Sequence, residues 1–283
     1  MQVGITGSHG FIGSQLYKKL KNFCDCKPFD RSKNNLSYIN SMKEFVENKD
    51  FIFHLAGANR ASDKELMRIN TTGTLNLLEA IRKYSDAETR IIFASSLQVY
   101  GFQKKLILLD EEDLLKPDNA YGISKKNAED IICRYSEYYG VKALIFRISN
   151  VYGEGCRPNY NSVIATYIDQ MRKEQRLIVN GTGEQMRDYI YIHDLIEAFL
   201  RVFDYGFDRV NIINICTGIP ISVNQIVSTL EEIVVKPIMF EHIKSDQLVT
   251  HLVGNPAKAM NVLGYTSQIT LREGLDRAIK GEI

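Results

Sequence analysis

The sequence predicts an α/β fold: a Rossmann-type doubly wound parallel sheet, with a smaller mixed α/β lobe on its C-terminal side. Three observations predict it. Short apolar runs of strand length recur at residues 1–5, 27–30, 51–55, 90–94 and 143–147. Stretches with apolar residues at helical spacing lie between them, clearest over 70–84 and 119–139. The first run also leads through Thr6-Gly7-Ser8-His9-Gly10-Phe11-Ile12-Gly13 into a helical pattern over 14–20, which is strand, glycine turn and helix in that order. Apolar strands separated by helices make a parallel sheet covered on both faces. Its ligands sit beyond the carboxyl ends of the strands.

In the glycine turn, Gly7 lets the backbone turn sharply, and Gly10 removes the Cβ that would keep a phosphate from the backbone. Gly13 lets helix and strand pack closely. The helix that follows offers unpaired N–H groups and a positive dipole end to a pyrophosphate. The spacing is G-x-x-G-x-x-G rather than the commoner G-x-G-x-x-G, and such turns also occur without a ligand. His9 lies inside the turn, where only its backbone need matter. Asp30 closes the second run, 17 residues after Gly13. A carboxylate there accepts from both ribose hydroxyls and repels a 2′-phosphate, favouring NAD over NADP. Arg31 beside it suits the phosphate instead. Asp30 is also an ordinary turn residue.

The later runs follow the same alternation up to about residue 150. From there the texture changes to loops, a Gly181-Thr182-Gly183 turn and mixed elements, without repeats, low-complexity tracts or a linker that would cut the chain. The expected division is a dinucleotide-binding domain over 1–150 with a return segment at about 190–216, and a substrate lobe over 151–189 and 217–283.

Composition narrows the class. At 283 residues the chain can bury a sizeable core. Its 35 Lys and Arg nearly balance 34 Asp and Glu, so no global field favours nucleic acid or an anionic membrane. No apolar run approaches the ~20 residues that span a bilayer. The first strand begins at once and leaves no room for a signal peptide. Five scattered cysteines fit a reducing cytoplasm, and no His/Cys/Asp group has metal spacing, so no metal is expected. Cys24-Asp25-Cys26 lacks a second pair or a nearby His.

The chemistry is expected after the fourth run and its following turn. Ser95-Ser96-Leu97-Gln98-Val99-Tyr100-Gly101 leaves the strand, and Tyr121-Gly122-Ile123-Ser124-Lys125 opens a helix behind Pro117. Tyr121 and Lys125 are four apart and share a helix face. A phenol of reference pKa near 10 is a poor base at neutral pH. A lysine ammonium and a positive nicotinamide ring beside it favour the phenolate and make it a usable acid/base. A serine hydroxyl can bond the same substrate oxygen. Y-x-x-x-K alone is more often a solvated helix face; the glycine turn upstream and the serine between them outweigh that reading.

With these motifs in order, the chain resembles the extended short-chain dehydrogenase/reductases, in the NAD-dependent epimerase/dehydratase branch that acts on nucleotide sugars. Besides the glycine turn, the resemblance rests on several stretches. These are His54-Leu55-Ala56-Gly57, which lines the cofactor in that family, and Asn70-x-x-Gly73-Thr74-x-Asn76-Leu77-Leu78, with its structural asparagine. Ser96-x-x-Val99-Tyr100-Gly101 and Tyr121-x-x-x-Lys125 match the catalytic elements. Arg147-x-Ser149-Asn150-Val151-Tyr152-Gly153 and Gly181-Thr182-Gly183 through Arg187-Asp188-Tyr189 match the substrate lobe.

The resemblance implies that Tyr121 is the general acid/base, Ser96 its hydroxyl partner on the substrate, and Lys125 the holder of the nicotinamide ribose. Gly7, His9, Gly10, Phe11, Ile12, Gly13, Asp30, Arg31, Leu55, Ala56, Gly57 and Asn70 would then border the dinucleotide, together with Tyr121 and Lys125. Asn150 and Arg187 would contact the nucleotide-diphosphate part of the substrate, an arginine fork matching two phosphate oxygens. The plainer alternatives are that Asn150 caps a loop and Arg187 pairs with a carboxylate. Helices over 70–84 and 119–139 would pair with a second copy in a homodimer, with Ile123, Ile131 and Ile132 serving either that contact or an internal core.

Departures from the pattern sharpen the expectation. Sugar dehydratases of this family place an Asp-Glu pair where this chain has Leu97 and Gln98, neither of which can eliminate water by acid/base chemistry, which argues against a dehydratase. The acidic residue near the adenine is replaced by Tyr38 or its neighbours in a shortened stretch, 32–40. The late R-P-G-D stretch aligns with Ile243-Lys244-Ser245-Asp246 and lacks its arginine, with Lys244 as the stand-in. His193 reads as structural. The expected function is NAD-dependent epimerisation of a nucleotide-diphosphate sugar through a transient ketone, in the cytoplasm. The alternatives are an NADPH-dependent 4-ketosugar reductase and, from another class, a non-catalytic dinucleotide-sensing protein, which would have no chemical reason to keep Ser96, Tyr121 and Lys125 together.

Overall fold

The structure, a computed structural model, describes residues 1–85, 88–160, 162–245 and 248–281. Strands β1 (Gln2–Thr6), β2 (Asp25–Pro28), β3 (Phe51–His54), β4 (Arg90–Ser96), β5 (Lys142–Ile148) and β6 (Val210–Ile215) form one sheet in the order β6-β5-β4-β3-β1-β2. The pairings β1 with β2, β1 with β3, β3 with β4 and β4 with β5 are all parallel. The expected parallel α/β sheet is therefore present, with β6 as a sixth strand that the apolar runs did not announce. β2 ends at Pro28, two residues before Asp30.

The chain divides into two compact units: Met1–Gly101, Leu114–Ile148 and Val202–Ile213 in the first; Phe102–Asp113, Ser149–Arg201 and Asn214–Ile283 in the second. In the first unit, β3 is buried along its whole length, as a strand between two neighbours and two covered faces should be. Helices α1 (Phe11–Leu20), α2 (Gly73–Tyr84) and α3 (Ala120–Tyr139) show why their sequences fold so. α2 buries Leu77, Leu78, Ala80 and Ile81, the i, i+1, i+3, i+4 stripe of a helix pressed on a sheet. α3 starts at Asn119, whose side chain accepts from Gly122 N at 2.8 Å, and stops at Gly140 in the left-handed region. Between α2, α3 and the sheet lies a core that includes Phe45, Ile52, Phe93 and Ile145. Ile132 belongs to this core and Ile131 packs against it, while Ile123 remains 38% exposed.

The second unit is built of short pairs. Asn150–Tyr152 runs parallel to Tyr189–Tyr191, Leu177–Asn180 parallel to Phe240–Ile243, and Met186–Arg187 antiparallel to Ile221–Ser222. Asp188, fully buried, ties this unit together by accepting from Thr217 N, Thr217 Oγ1 and Gly218 N at 3.0, 3.1 and 2.8 Å. No helix among the described residues is long and apolar enough to cross a membrane.

Candidate active site

The first unit holds most of the candidate residues. In the glycine turn, Gly7 has φ +72° and a Cβ there would lie 2.7 Å from Ala56 N, so only glycine fits. A Cβ on Gly13 would lie 2.7 Å from the Gly7 carbonyl carbon, which is the close helix–strand contact expected of it. Gly10 differs. With φ −78° it is the N-cap of α1, and a Cβ there would meet only Gly7 O, at 3.2 Å. No side chain caps α1 and no acidic residue occupies its first turn, so its leading N–H groups stay available to an anion. His9 and Gly10 are exposed, and Phe11 and Ile12 half-buried.

Asp30 follows β2 in a tight turn, where one carboxylate oxygen accepts from Ser32 Oγ at 2.7 Å and from Ser32 N at 2.9 Å. These bonds hold its carboxyl below the usual range, so it stays charged. Arg31 is exposed beside it. Tyr38, at 67% exposure, precedes a 3-10 turn, Ile39–Met42.

At the end of β3 a chain of hydrogen bonds fixes the loop Leu55-Ala56-Gly57. Ala56 N donates to Thr6 Oγ1 at 3.1 Å, Thr6 Oγ1 meets His54 Nδ1 at 2.7 Å, and His54 Nε2 meets Thr74 Oγ1 at 3.0 Å. Thr74 Oγ1 reaches Asn70 O at 2.6 Å. The two ends dictate the direction. A carbonyl only accepts, so Thr74 gives its one proton to Asn70 O and accepts from His54 Nε2–H; Nδ1 then accepts from Thr6. Burial, with the charge of Lys125 as a lesser cause, pushes His54 down to about 3, which agrees with a neutral ring.

Asn70 lies in a π-helical stretch, Met67–Thr72. Its side chain accepts from Ala58 N at 2.8 Å and donates to Ala58 O at 2.8 Å and Ser124 Oγ at 2.9 Å. A Cβ on Gly57 would be 3.2 Å from both Asn70 Oδ1 and Lys125 Nζ, so the cofactor-loop candidate, the asparagine and the lysine border one point.

Ser96 ends β4, half-buried, and accepts from Gln98 N at 3.2 Å. Tyr121 and Lys125 occupy the first turns of α3. Lys125 is buried; its Nζ donates to Ala94 O at 2.7 Å and lies 6.0 Å from the Tyr121 ring centroid and 4.8 Å from that of Phe93. Burial lowers its ammonium to about 8, with Glu129 opposing. Ser96, Tyr121, Lys125, Asn70 and the glycine turn thus belong to one compact unit. Leu97 is buried and Gln98 Oε1 accepts from Asn119 at 3.1 Å, so no carboxylate stands where a dehydratase needs one.

Asn150 and Arg187 lie in the second unit. Asn150 Nδ2 donates to Asp188 O at 2.9 Å, the loop-capping geometry. Arg187 Nη1 donates to Thr250 O at 2.5 Å and Met186 O at 2.9 Å, and its guanidinium carbon lies 4.5 Å from the Phe102 ring centroid. Of the 243–246 stretch, Ile243 ends a strand, Lys244 is exposed, and Asp246 lies outside the described residues.

Sequence reasoning missed the partners of these groups. Glu129 and Arg147 form a buried ion pair at 2.8 Å, and Phe102 backs Arg187. A signal existed for Arg147, a charge inside an otherwise apolar strand.

The chain is 30% identical over 284 residues, 95% of its length and 94% of the relative's, to the GDP-6-deoxy-D-talose 4-dehydrogenase of Aggregatibacter actinomycetemcomitans. It is 31% identical to the UDP-2-acetamido-2,6-beta-L-arabino-hexul-4-ose reductase of Pseudomonas aeruginosa over 82% of this chain and 57% of that protein. Its fold superposes on the UDP-glucose 4-epimerase of Thermotoga maritima, solved with UDP-glucose, with a TM-score of 0.88 and 26% identity over 99% of this chain and 98% of that one. The sequence pattern of the NAD-dependent epimerase/dehydratase family matches residues 3–216. The chain belongs to the NAD-dependent epimerase/dehydratase family, the extended short-chain dehydrogenase/reductases.

Proposed function

We propose that the protein epimerises a nucleotide-diphosphate sugar through a transient ketone, using NAD. The observation that carries this reading is a buried, strand-bonded Lys125 one helical turn from Tyr121, in the unit that holds the glycine turn. The residues fit a dinucleotide: the uncapped start of α1, with open space beyond Gly10, suits a pyrophosphate. Asp30 suits ribose hydroxyls and disfavours a 2′-phosphate. The chemistry the dinucleotide would supply when bound is acceptance of the hydride from the reacting carbon and its return.

Tyr121 takes the proton from the reacting sugar hydroxyl and returns it once the face of the sugar has changed. Lys125 would hold the nicotinamide ribose, and its charge favours the Tyr121 phenolate. Ser96 holds the reacting oxygen. Asn70 and His54 keep the Leu55-Ala56-Gly57 loop in place. Arg187, with Asn150, grips the nucleotide-diphosphate portion, a hold remote from the reacting carbon that leaves the sugar room to turn. We assign dinucleotide binding to residues 1–150 with the return segment at about 190–216, and substrate binding to the remainder. We further propose a homodimer through α2 and α3, with the exposed Ile123 at the contact.

A 4-ketosugar reductase using NADPH is the second reading, favoured by Arg31 beside Asp30 and by the reductase relative. The deciding experiment incubates the protein with UDP-, GDP- and dTDP-hexoses, with and without NADPH. An epimer formed without added reductant supports the proposal. Turnover only of 4-keto sugars with NADPH overturns it in favour of the reductase.

A further inference from the structure

Two consecutive residues of β4 are each bonded to a charged side chain of α3. Lys125 Nζ donates to Ala94 O at 2.7 Å, and Ser95 Oγ donates to Glu129 Oε1. Glu129 lies one helical turn beyond Lys125, so both reach the strand from the same helix face. Its carboxylate is in turn gripped by Arg147 of β5. Nη2 meets Oε2 at 2.8 Å, and Nε lies 3.3 and 3.2 Å from Oε1 and Oε2. Arg147 Nη1 donates to Tyr100 OH at 2.9 Å. Ser95, Tyr100, Glu129 and Arg147 are all at least 96% buried. The next residue along the strand is Ser96, and Tyr121 lies one helical turn before Lys125, two before Glu129.

We propose that Glu129 is a positioning residue of the Ser96–Tyr121–Lys125 site: its Arg147-bound carboxylate fixes the end of β4 in register with α3 and keeps Lys125 cationic. This rests on reading those three residues as the reacting groups. A buried ion pair is a poor stability device, because desolvation offsets most of the attraction. Its placement one turn from a buried lysine gives it another use. Around Lys125, among the described residues, lie Tyr121 and Glu129 of its own helix and neutral His54 from β3; β4 presents Ala94 O and the Phe93 ring, and the π-helical stretch the neutral Asn70. Glu129 is thus the carboxylate that offsets the burial of the Lys125 ammonium, whose midpoint burial brings to about 8.

The test is NMR titration of ¹³Cε-labelled lysine, with the Lys125 signal assigned by Lys125→Arg. It is run on the wild type, Glu129→Gln and the charge-neutral double variant Glu129→Gln/Arg147→Gln. Glu129→Gln leaves the positive charge of Arg147 unbalanced and should lower the Lys125 midpoint by about one pH unit or more. The double variant should fall between that value and the wild type, an order that loss of packing does not produce. If Glu129→Gln fails to fold, the double variant carries the test, its midpoint lying below that of the wild type. Coincident midpoints overturn the inference. A shifted midpoint in a protein that turns over no nucleotide sugar upholds it and overturns the proposed reaction instead.

Discussion

Replacing Gly13 by Ala should damage both folding and dinucleotide binding, whereas replacing Gly10 by Ala should damage binding alone. A Cβ on Gly13 lies 2.7 Å from the Gly7 carbonyl carbon and closer still to its oxygen. Ordinary carbon–carbon contact is about 3.5 Å, so the start of α1 must retreat by at least about 0.8 Å (3.5 − 2.7), and further to clear the oxygen. Overpacking of that size costs about 1–3 kcal/mol. The same retreat takes the leading N–H groups of α1 off the pyrophosphate. Loss of one charge-assisted hydrogen bond, about 1.5–3 kcal/mol, lowers affinity by about 10- to 100-fold. On Gly10, φ is −78° and the added Cβ meets only Gly7 O at 3.2 Å, so the fold should tolerate alanine. The methyl then stands where the phosphate approaches, and affinity falls by a similar factor. Thermal melts together with NADH fluorescence titrations separate the two. The reasoning is refuted if Gly13→Ala melts with the wild type and binds NADH within threefold of it, or if Gly10→Ala loses as much stability as Gly13→Ala.

Three further outcomes follow from the site. Tyr121→Phe should cut turnover by about 10²- to 10⁴-fold while NADH binding, measured by fluorescence, stays within a fewfold of wild type. Asp30→Asn should relax discrimination against NADPH by about tenfold, read as the ratio of NADH to NADPH dissociation constants. His54 titrates at about 3 in the folded chain against an ordinary 6.5, so the folded state binds fewer protons than the unfolded between those values. The stability from its neutral form is complete above pH 6.5 and drains away as pH falls toward 3. Urea denaturation should therefore show His54→Gln less stable at pH 7.5, with the gap narrowing by about 2 kcal/mol at pH 5 (1.36 × 1.5). An unchanged gap contradicts the neutral ring.

Much of this site is local in sequence, and that part was legible. The turn from Gly7 to Gly13 names its own strand, phosphate loop and helix, and the four-residue spacing of Tyr121 and Lys125 fixes their shared face. Strands buried on both sides are continuous apolar runs, and so β1, β3, β4 and β5 show directly in the sequence. β6, Val-Asn-Ile-Ile-Asn-Ile, breaks its run with two asparagines and carries no such signal. What depends on distant segments stayed hidden. Nothing in the text of the sequence joins Glu129 to Arg147 and Ser95, or threads a proton-ordered chain from Ala56 through Thr6, His54 and Thr74 to Asn70. Asn70 was recognisable as a motif residue, but the π-helical stretch around it has no simple sequence period. In the second unit, strands of two to four residues carry too little pattern to read, and the amide of Asn150 turned out to serve Asp188 O.

The most direct test of the central claim is the identity of the dinucleotide that the purified protein carries. Denaturation followed by mass spectrometry of the supernatant should release NAD in about one-to-one ratio, as expected when one cofactor is oxidised and reduced within each turnover. A protein that releases no dinucleotide and then binds NADPH more tightly than NAD would contradict the epimerase account.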